Sequence, residues 1–335
     1  MKKLLLIIGI LSFGIFTGFG QQIHAPAEIF KIMEESAVSY ELNVLENEIL
    51  PPDRTDNLNY NHYYRVNNEG AILTLKYEID SVVQAYLSVA EEYFQDRKFS
   101  LARDLYFEAL IVDSTFYQVM TYIGQIYGIE GDFDTAIEWY KRAISLNYID
   151  YMAHWFLADA YRMQGDIDKA VDEITIAMIL NRNNPRIKKS LNRIYELKRL
   201  KTDDWTFNPQ LKIDSIGIDH VRIAFDIDWL GYAMVKAVWK YEPGYKESMG
   251  VDKDSFSALE EKESIACLMA TFDKKKLKKH PEFKALKLAL DKDRIDEFIF
   301  YEIVLSEHPF VAYQLSEEFI ISIKDYVKAV RGKQK

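Results

Sequence analysis

A spacing of 34 residues recurs through the middle of this chain of 335 residues. Ala102, Ala136 and Ala170 share one register, Tyr106, Tyr140 and Ile174 a second, and Ala109, Ala143 and Ala177 a third. A period of this size marks an array of stacked helix pairs, because one pair cannot bury its apolar face alone and needs a neighbour of the same shape. Arrays of this kind present a surface to another molecule, so the period indicates a class of function without naming the ligand.

Three copies run over residues 83–116, 117–150 and 151–184. A small first-helix position holds Ala90, Gly124 and Ala158, and an aromatic follows three residues later at Tyr93, Tyr127 and Tyr161. Small residues let helix axes approach, while tyrosine and leucine fill the grooves between them. The turn within each pair reads Gly131-Asp132-Phe133 and Gly165-Asp166-Ile167, but Arg97-Lys98-Phe99 in the first copy, which weakens that turn. Asp113, Asn147 and Asn181 are expected to end the second helices in a left-handed conformation. From Pro185 the register continues for one more helix, with Leu191 and Tyr195 in place. Its exposed side carries Arg186, Lys188, Lys189, Arg193, Lys198, Arg199 and Lys201, as a capping helix requires.

These residues resemble the tetratricopeptide repeat family over about 100 residues, three copies in phase being a strong signal. The proline usual near the repeat end is replaced by Ser114, Tyr148 and Arg182. The resemblance implies that the first helix of each pair lines the concave side. Carried over position by position, that surface holds Gln84, Leu87, Glu91 and Gln95, then Gln118, Thr121 and Gln125, then Met152, Trp155, Asp159 and Arg162. Family members that clamp a C-terminal carboxylate use lysine and asparagine where Leu87 and Glu91 stand, so that activity is not implied. The mixture of amides, acids, one arginine and an aromatic anchor suits an extended protein or peptide segment. Trp155 is the leading contact, with packing against the next helix or the second domain as the equal alternative. Three repeats make a short groove, and the chain's own Asn/Tyr-rich stretch or C-terminal domain are candidates to fill it.

With 49% hydrophobic residues the chain can bury a full core, and its net charge of -10 argues against general nucleic-acid binding. Residues 1–20 read as a signal peptide: Lys2 and Lys3, the apolar run from Leu4 to Phe16, and small residues Gly18 and Gly20, with cleavage expected after Gly20. An exported, periplasmic or envelope-associated protein follows from this. Cys267, the single cysteine, lies in Ile265-Ala266-Cys267-Leu268-Met269 and reads as a buried helical thiol. In residues 21–82, positions 26–48 carry Ile29, Ile32, Met33, Val38, Leu42 and Leu45 at helical intervals, predicting one amphipathic helix stopped by Pro51-Pro52. Residues 51–70, rich in Asn, Asp and Tyr, predict a loop.

Residues 201–218 read as a connector, and Val221-Arg222-Ile223-Ala224-Phe225-Asp226-Ile227-Asp228 alternates as a short strand would. From Trp229 to Tyr241 the chain is helical and apolar nearly all round, predicting burial at the centre of a second domain. No glycine occurs between Val251 and Arg331, so helices broken at Pro281 and Pro309 should fill the rest, the last with the stripe Leu315, Phe319, Ile323, Tyr326 and Val330.

Phosphate-cradling glycine loops, hydrolase elbows and zinc patterns are missing from the sequence. His280 and His308 each precede a proline at a helix start, and Glu260, Glu261 and Glu263 read as a helix face. Lys274-Lys275-Lys276 and Lys278-Lys279 read as a solvated turn. No catalytic residue, metal or cofactor is therefore assigned. The expectation is an all-α protein, with room for one short strand. A tetratricopeptide-type solenoid with its capping helix occupies residues 83–201, and a helical C-terminal domain occupies 202–335. Its function would be non-enzymatic protein binding or scaffolding in a bacterial envelope. The alternatives are an enzyme with its site in residues 202–335, or a structural subunit of an envelope assembly.

Overall fold

The computed structural model describes residues 23–55, 63–68, 71–252 and 257–334. The expected signal peptide, with its cleavage point, lies outside these residues. Helix α1 (Pro26–Glu35) starts with Pro26 at its first position, and the Ala25 N–H donates to the Glu28 carboxylate at 2.7 Å. It does not run on to residue 48. Ser36 takes an extended conformation, accepts from the Val38 N–H at 2.8 Å and donates to Glu242 at 2.6 Å, a local pattern that competes with the helix. The alternation of Tyr40, Leu42 and Val44 then forms strand β1 (Ser39–Val44). Strands β2 (Tyr63–Asn68) and β3 (Ala71–Lys76) pair as an antiparallel hairpin where a loop was expected. Aromatic and branched residues such as Tyr63, Tyr64 and Val66 favour the strand over the asparagines' turn preference.

The array follows as α2 (Ser81–Gln95) with α3 (Phe99–Val112), α4 (Tyr117–Glu130) with α5 (Phe133–Leu146), and α6 (Tyr151–Gln164) with α7 (Ile167–Leu180). All six alanines of the repeat registers, from Ala102 to Ala177, are fully buried. A Cβ at Gly124 would lie 2.6 Å from the Tyr140 ring, so the glycine makes room for the repeat tyrosine. Gly131 and Gly165 end α4 and α6 with φ of +88° and +84°, and Arg97 adopts the same left-handed turn at φ 60°. None of Asp113, Asn147 and Asn181 is left-handed: the first two are extended, at φ of -134° and -146°, and Asn181 has φ -139° and ψ 70°. Their carbonyls accept from the N–H of Phe116, Asp150 and Asn184, opening a turn into the next helix that a left-handed residue would misdirect. Helix α8 (Pro185–Leu197), capped by the Asn184 side chain, closes the array with Ile187, Leu191, Ile194 and Tyr195 inside and its basic residues outside.

The expected connector holds two strands, β4 (Leu200–Thr202) and β5 (Leu211–Gly217), and β6 (His220–Phe225) follows. Strand β6 is central, parallel to β1 and antiparallel to β5. Val221, Ile223 and Phe225 are buried and Arg222 is exposed, as the alternation predicts. Next come α9 (Leu230–Tyr241), α10 (Tyr245–Ser248), α11 (Ala258–Met269), α12 (Lys274–Lys279), α13 (Pro281–Asp291) and α14 (Ile295–Phe298). A π turn at Ile299–Val304 leads to α15 (Leu305–Glu307), and a 3-10 turn at Pro309–Gln314 leads to α16 (Glu317–Tyr326). After a second π turn, Val327–Arg331, strand β7 (Gly332–Gln334) pairs antiparallel with β4. The described chain is thus mostly helical but holds three small sheets, which corrects the all-α expectation. Helix α9 is buried as predicted, and Gly231 lets it approach α11 so closely that a Cβ would stand 2.5 Å from the Cys267 carbonyl oxygen.

One apolar core runs from α5 through α6, α7 and α8 into α13, the first π turn and α16. Helix α7 is enclosed: Ile176, Met178, Ile179 and Leu180 are all buried, and Asp172 pairs with Lys328 at 2.5 Å. Arg182 reaches the Tyr301 carbonyl at 3.1 Å. The C-terminal helices therefore cover the outer side of the third repeat.

Candidate protein-binding face of the array

On the opposite side α2 has an open face, and it meets α4 there. Gln84, Leu87 and Glu91 from α2 and Gln118 and Tyr122 from α4 line one groove of about 270 Å³, with Ile79 at its end. The helical spacing places them there: residues three and four apart share a face. Gln118 is almost fully buried and donates through Nε2 to the Tyr122 hydroxyl at 2.7 Å, which fixes the amide. Tyr106 from α3 donates to Glu91 at 3.0 Å, and its ring lies 5.6 Å from that of Tyr122. Burial first, then the Glu91 charge, pushes both phenols well above their usual range, so they are neutral groups under ordinary conditions. The groove thus offers an exposed amide at Gln84, a half-buried carboxylate at Glu91 and an aromatic edge at Tyr122. Such a set hydrogen-bonds a polar backbone and shelters a small apolar side chain.

The other residues expected on this surface are placed differently. Thr121 is fully buried and donates to Asp150 at 2.9 Å, inside the junction of α4 and α6. Burial raises the Asp150 carboxyl, more than the Thr121 hydroxyl and the backbone N–H groups at the start of α6 lower it. Gln125 and Met152 are half-buried, and Met152 packs on the main core. Trp155 donates through Nε1 to Ser190 of α8 at 3.0 Å and stacks on Phe156 with ring centroids 5.8 Å apart. Its packing on the next helix is therefore observed. Arg162 and the exposed Asp159 pair with each other at 2.7 Å, and Gln95 is exposed at the end of α2. Tyr122 was missed, although its place four residues after Gln118 on the same helix could have signalled it.

Glu260, Glu261, Glu263 and His280 of the second domain are held in separate clusters. Glu263, fully buried, accepts from Trp239 at 2.6 Å, from Tyr245 at 2.9 Å and from the His24 N–H at 2.7 Å. Glu260 and Glu261 both pair with Lys236, and Tyr232 donates to Glu261 at 2.6 Å. Burial alone would lower the Lys236 ammonium, but the two carboxylates hold it above its usual range. That is the reverse of what a lysine nucleophile or base needs. His280 lies elsewhere, between Asp228 at 3.0 Å and Glu282 at 3.2 Å. The five clustered lysines belong to α12 itself and not to a turn, with Lys279 paired to Asp228 at 2.7 Å. A larger cavity of about 790 Å³ opens between β5 and α9, with Lys236 and Glu260 at its wall. Cys267 is buried as expected; burial, then the Glu263 and Glu28 charges, pushes its thiol up to about 12.

Residues 123–177 match the family model described as tetratricopeptide repeat. The chain carries tetratricopeptide repeats. Among solved structures it is similar to the first such domain of Spaghetti (RPAP3) bound to the HSP90 peptide SRMEEVD, at 20% identity and a TM-score of 0.34, covering 36% of this chain and 96% of that one. The Yersinia enterocolitica type III secretion chaperone SycD, in complex with a peptide of the translocator YopD, is 18% identical with a TM-score of 0.33, covering 36% and 96%. The first domain of human RPAP3 is 19% identical with a TM-score of 0.33, covering 34% and 91%. No curated protein matches the chain. The tetratricopeptide match ends well before the C-terminal domain, whose family is not recognised.

Proposed function

We propose that this protein is a non-enzymatic scaffold that binds an extended segment of another protein along the first helices of its tetratricopeptide array. The single observation that carries this reading is the α2–α4 groove, where Gln84, Leu87, Glu91 and Gln118 converge while the C-terminal helices occupy the opposite side of the third repeat. Glu91 and Gln84 take the backbone amides of the segment, and Leu87 and Tyr122 take a small side chain. Trp155 anchors α8 to the array in this reading and does not contact the partner directly. Peptide-library selection on the full chain tests it. Ser88 is an exposed position on the groove wall, so Ser88→Trp fills the groove without disturbing the core. Peptides enriched by the native chain should be lost with Ser88→Trp; no enrichment, or enrichment indifferent to that change, sinks the reading.

The site of action proposed is a bacterial envelope, reached by export and removal of residues 1–20. N-terminal sequencing of the protein from its host should then begin at Gln21. A second reading, an enzyme in residues 202–335, draws on the cavity between β5 and α9. Of its charged wall residues, Lys236 is held by Glu260 and Glu261 and is not available as a nucleophile or base, which favours the scaffold.

A further inference from the structure

The first helix of the array has an unfinished side. Positions Val82, Ala85 and Val89 of α2 correspond, one repeat on, to Phe116, Val119 and Ile123, and two repeats on to Asp150, Ala153 and Leu157. Ile123 and Leu157 are 0% and 2% exposed because the second helix of the preceding pair lies over them, α3 over α4 and α5 over α6. Val89, at the same position, is 44% exposed and Val82 is 49% exposed. Among the described residues nothing covers this stripe. The other end of the array is closed by α8 with a charged outer face, so among the described residues only the α2 end carries an apolar surface shaped for a further helix.

The internal junctions also say what charge that helix bears. Arg103 of α3 lies 4.8 Å over the ring of Tyr127 and pairs with Glu130 at 2.6 Å. Lys141 of α5 lies 5.8 Å over Tyr161, which also takes Lys169 of its own pair at 5.2 Å. Tyr93 and Asp96 hold the positions of Tyr127 and Glu130 on α2, with exposed Glu92 beside them. Lys98 from the same turn, an exposed residue, lies 5.7 Å over Tyr93 and 2.9 Å from Asp96, as Lys169 lies over Tyr161 beside the covering helix's Lys141. A guanidinium or ammonium from a covering helix fits here as it does at the two internal junctions.

We infer that the open side of α2 docks an amphipathic helix of a partner protein, whose apolar stripe covers Val82, Ala85 and Val89 and whose lysine or arginine sits over Tyr93 between Glu92 and Asp96. Neither end of the array in a second copy meets these terms. Two α2 helices paired antiparallel set Glu92 against Val82, paired parallel they set Glu92 against Glu92, and the basic face of α8 presents Arg186, Lys189 and Arg193 without an apolar stripe. This docking surface is separate from the α2–α4 groove and holds or fails independently of it.

A stapled, fluorescently labelled peptide with the sequence of residues 98–113, the helix that covers α4, serves as the probe against the full chain in an anisotropy titration. Saturable binding is expected. It should weaken about tenfold or more when the peptide carries Arg103→Glu or the protein carries Val89→Glu, as a charge facing an apolar or acidic partner demands. Circular dichroism should show Val89→Glu folded, since the position is exposed. Ser88→Trp in the groove should leave binding unchanged. Absence of saturable binding, or binding indifferent to both charge changes, overturns the inference. So does a dimer in sedimentation equilibrium that Val89→Glu dissociates, because a second copy would then own the surface.

Discussion

Arg97 pays for a backbone conformation that Gly131 and Gly165 adopt freely: its φ of 60° is left-handed and carries a side chain. Arg97→Gly should stabilise the fold by about 1 kcal/mol, seen as a higher urea midpoint with unchanged slope, whereas a lower midpoint would show the arginine contributing contacts that outweigh the strain. Glu302 poses the opposite case. It is buried against Arg331, which donates from Nε at 2.8 Å and from Nη2 at 2.5 Å, and Tyr326 donates to it at 2.8 Å. Burial pushes its carboxyl up, but Arg331, Arg182 and Tyr326 together outweigh burial and hold it below the usual glutamate value of 4.5. A carboxyl lowered in the folded state gives stability that is complete above 4.5 and is lost as the pH falls through the folded-state value. Glu302→Gln should therefore cost about 3–5 kcal/mol near neutral pH, by leaving Arg331 buried without its counter-charge. It should also flatten the fall of Tm below pH 4.5. An unchanged acid limb would assign that fall to other carboxylates. The Cys267 thiol, pushed up to about 12, should resist a thiol reagent until the chain is unfolded, and stoichiometric labelling of the native protein would contradict its burial.

At the scale of elements, the hairpin β2–β3 ties the array to the C-terminal helices. The Tyr63 carbonyl accepts from Tyr117 at 2.9 Å and from Asn147 at 2.8 Å, while Arg65 and Thr74 both donate to the Tyr313 carbonyl at 3.0 Å. Replacing Arg65 with Met and Thr74 with Val should speed hydrogen exchange in β2 and β3 and leave α4 to α7 protected; equal protection would mean that the apolar contacts alone hold the hairpin. The repeats were legible because their buried alanines, tyrosines and turn glycines recur in one register, so each copy confirms the others. Strands β1, β4 and β5 were not, since a strand of three to seven residues is stabilised by its partner, and Ser39 meets His220 only in the folded chain. The run from residue 26 to 48 misled because Val38, Leu42 and Leu45 satisfy a helical period, while the hydrogen bonds of Ser36 decide the outcome. At the groove, Gln84, Leu87, Glu91 and Gln118 came from the tetratricopeptide resemblance, which implies that the first helices line the concave side, and the structure brings these four together. Thr121 and Trp155 do not join them, because Asp150 and Ser190, which hold them, come from other helices.

For the whole molecule, α7 shares one apolar core with α16 and the π turn before α15, so the array and the C-terminal helices should unfold together. Calorimetry should give a single unfolding transition whose van't Hoff and calorimetric enthalpies agree, and two resolved transitions would separate the array from the rest. This arrangement dedicates one side of the third repeat to structure, and in the proposed reading the α2–α4 groove is what remains for a partner. The measurement that tests that division most directly is photo-crosslinking in the native host, with the reactive residue at Gln84 in the groove and, as control, at exposed Glu138 on α5. Mass spectrometry of the adducts should find one dominant protein captured from Gln84, lost with Ser88→Trp and missing from Glu138. Identical adducts from both positions, or only crosslinks within the chain, would contradict a protein-binding groove.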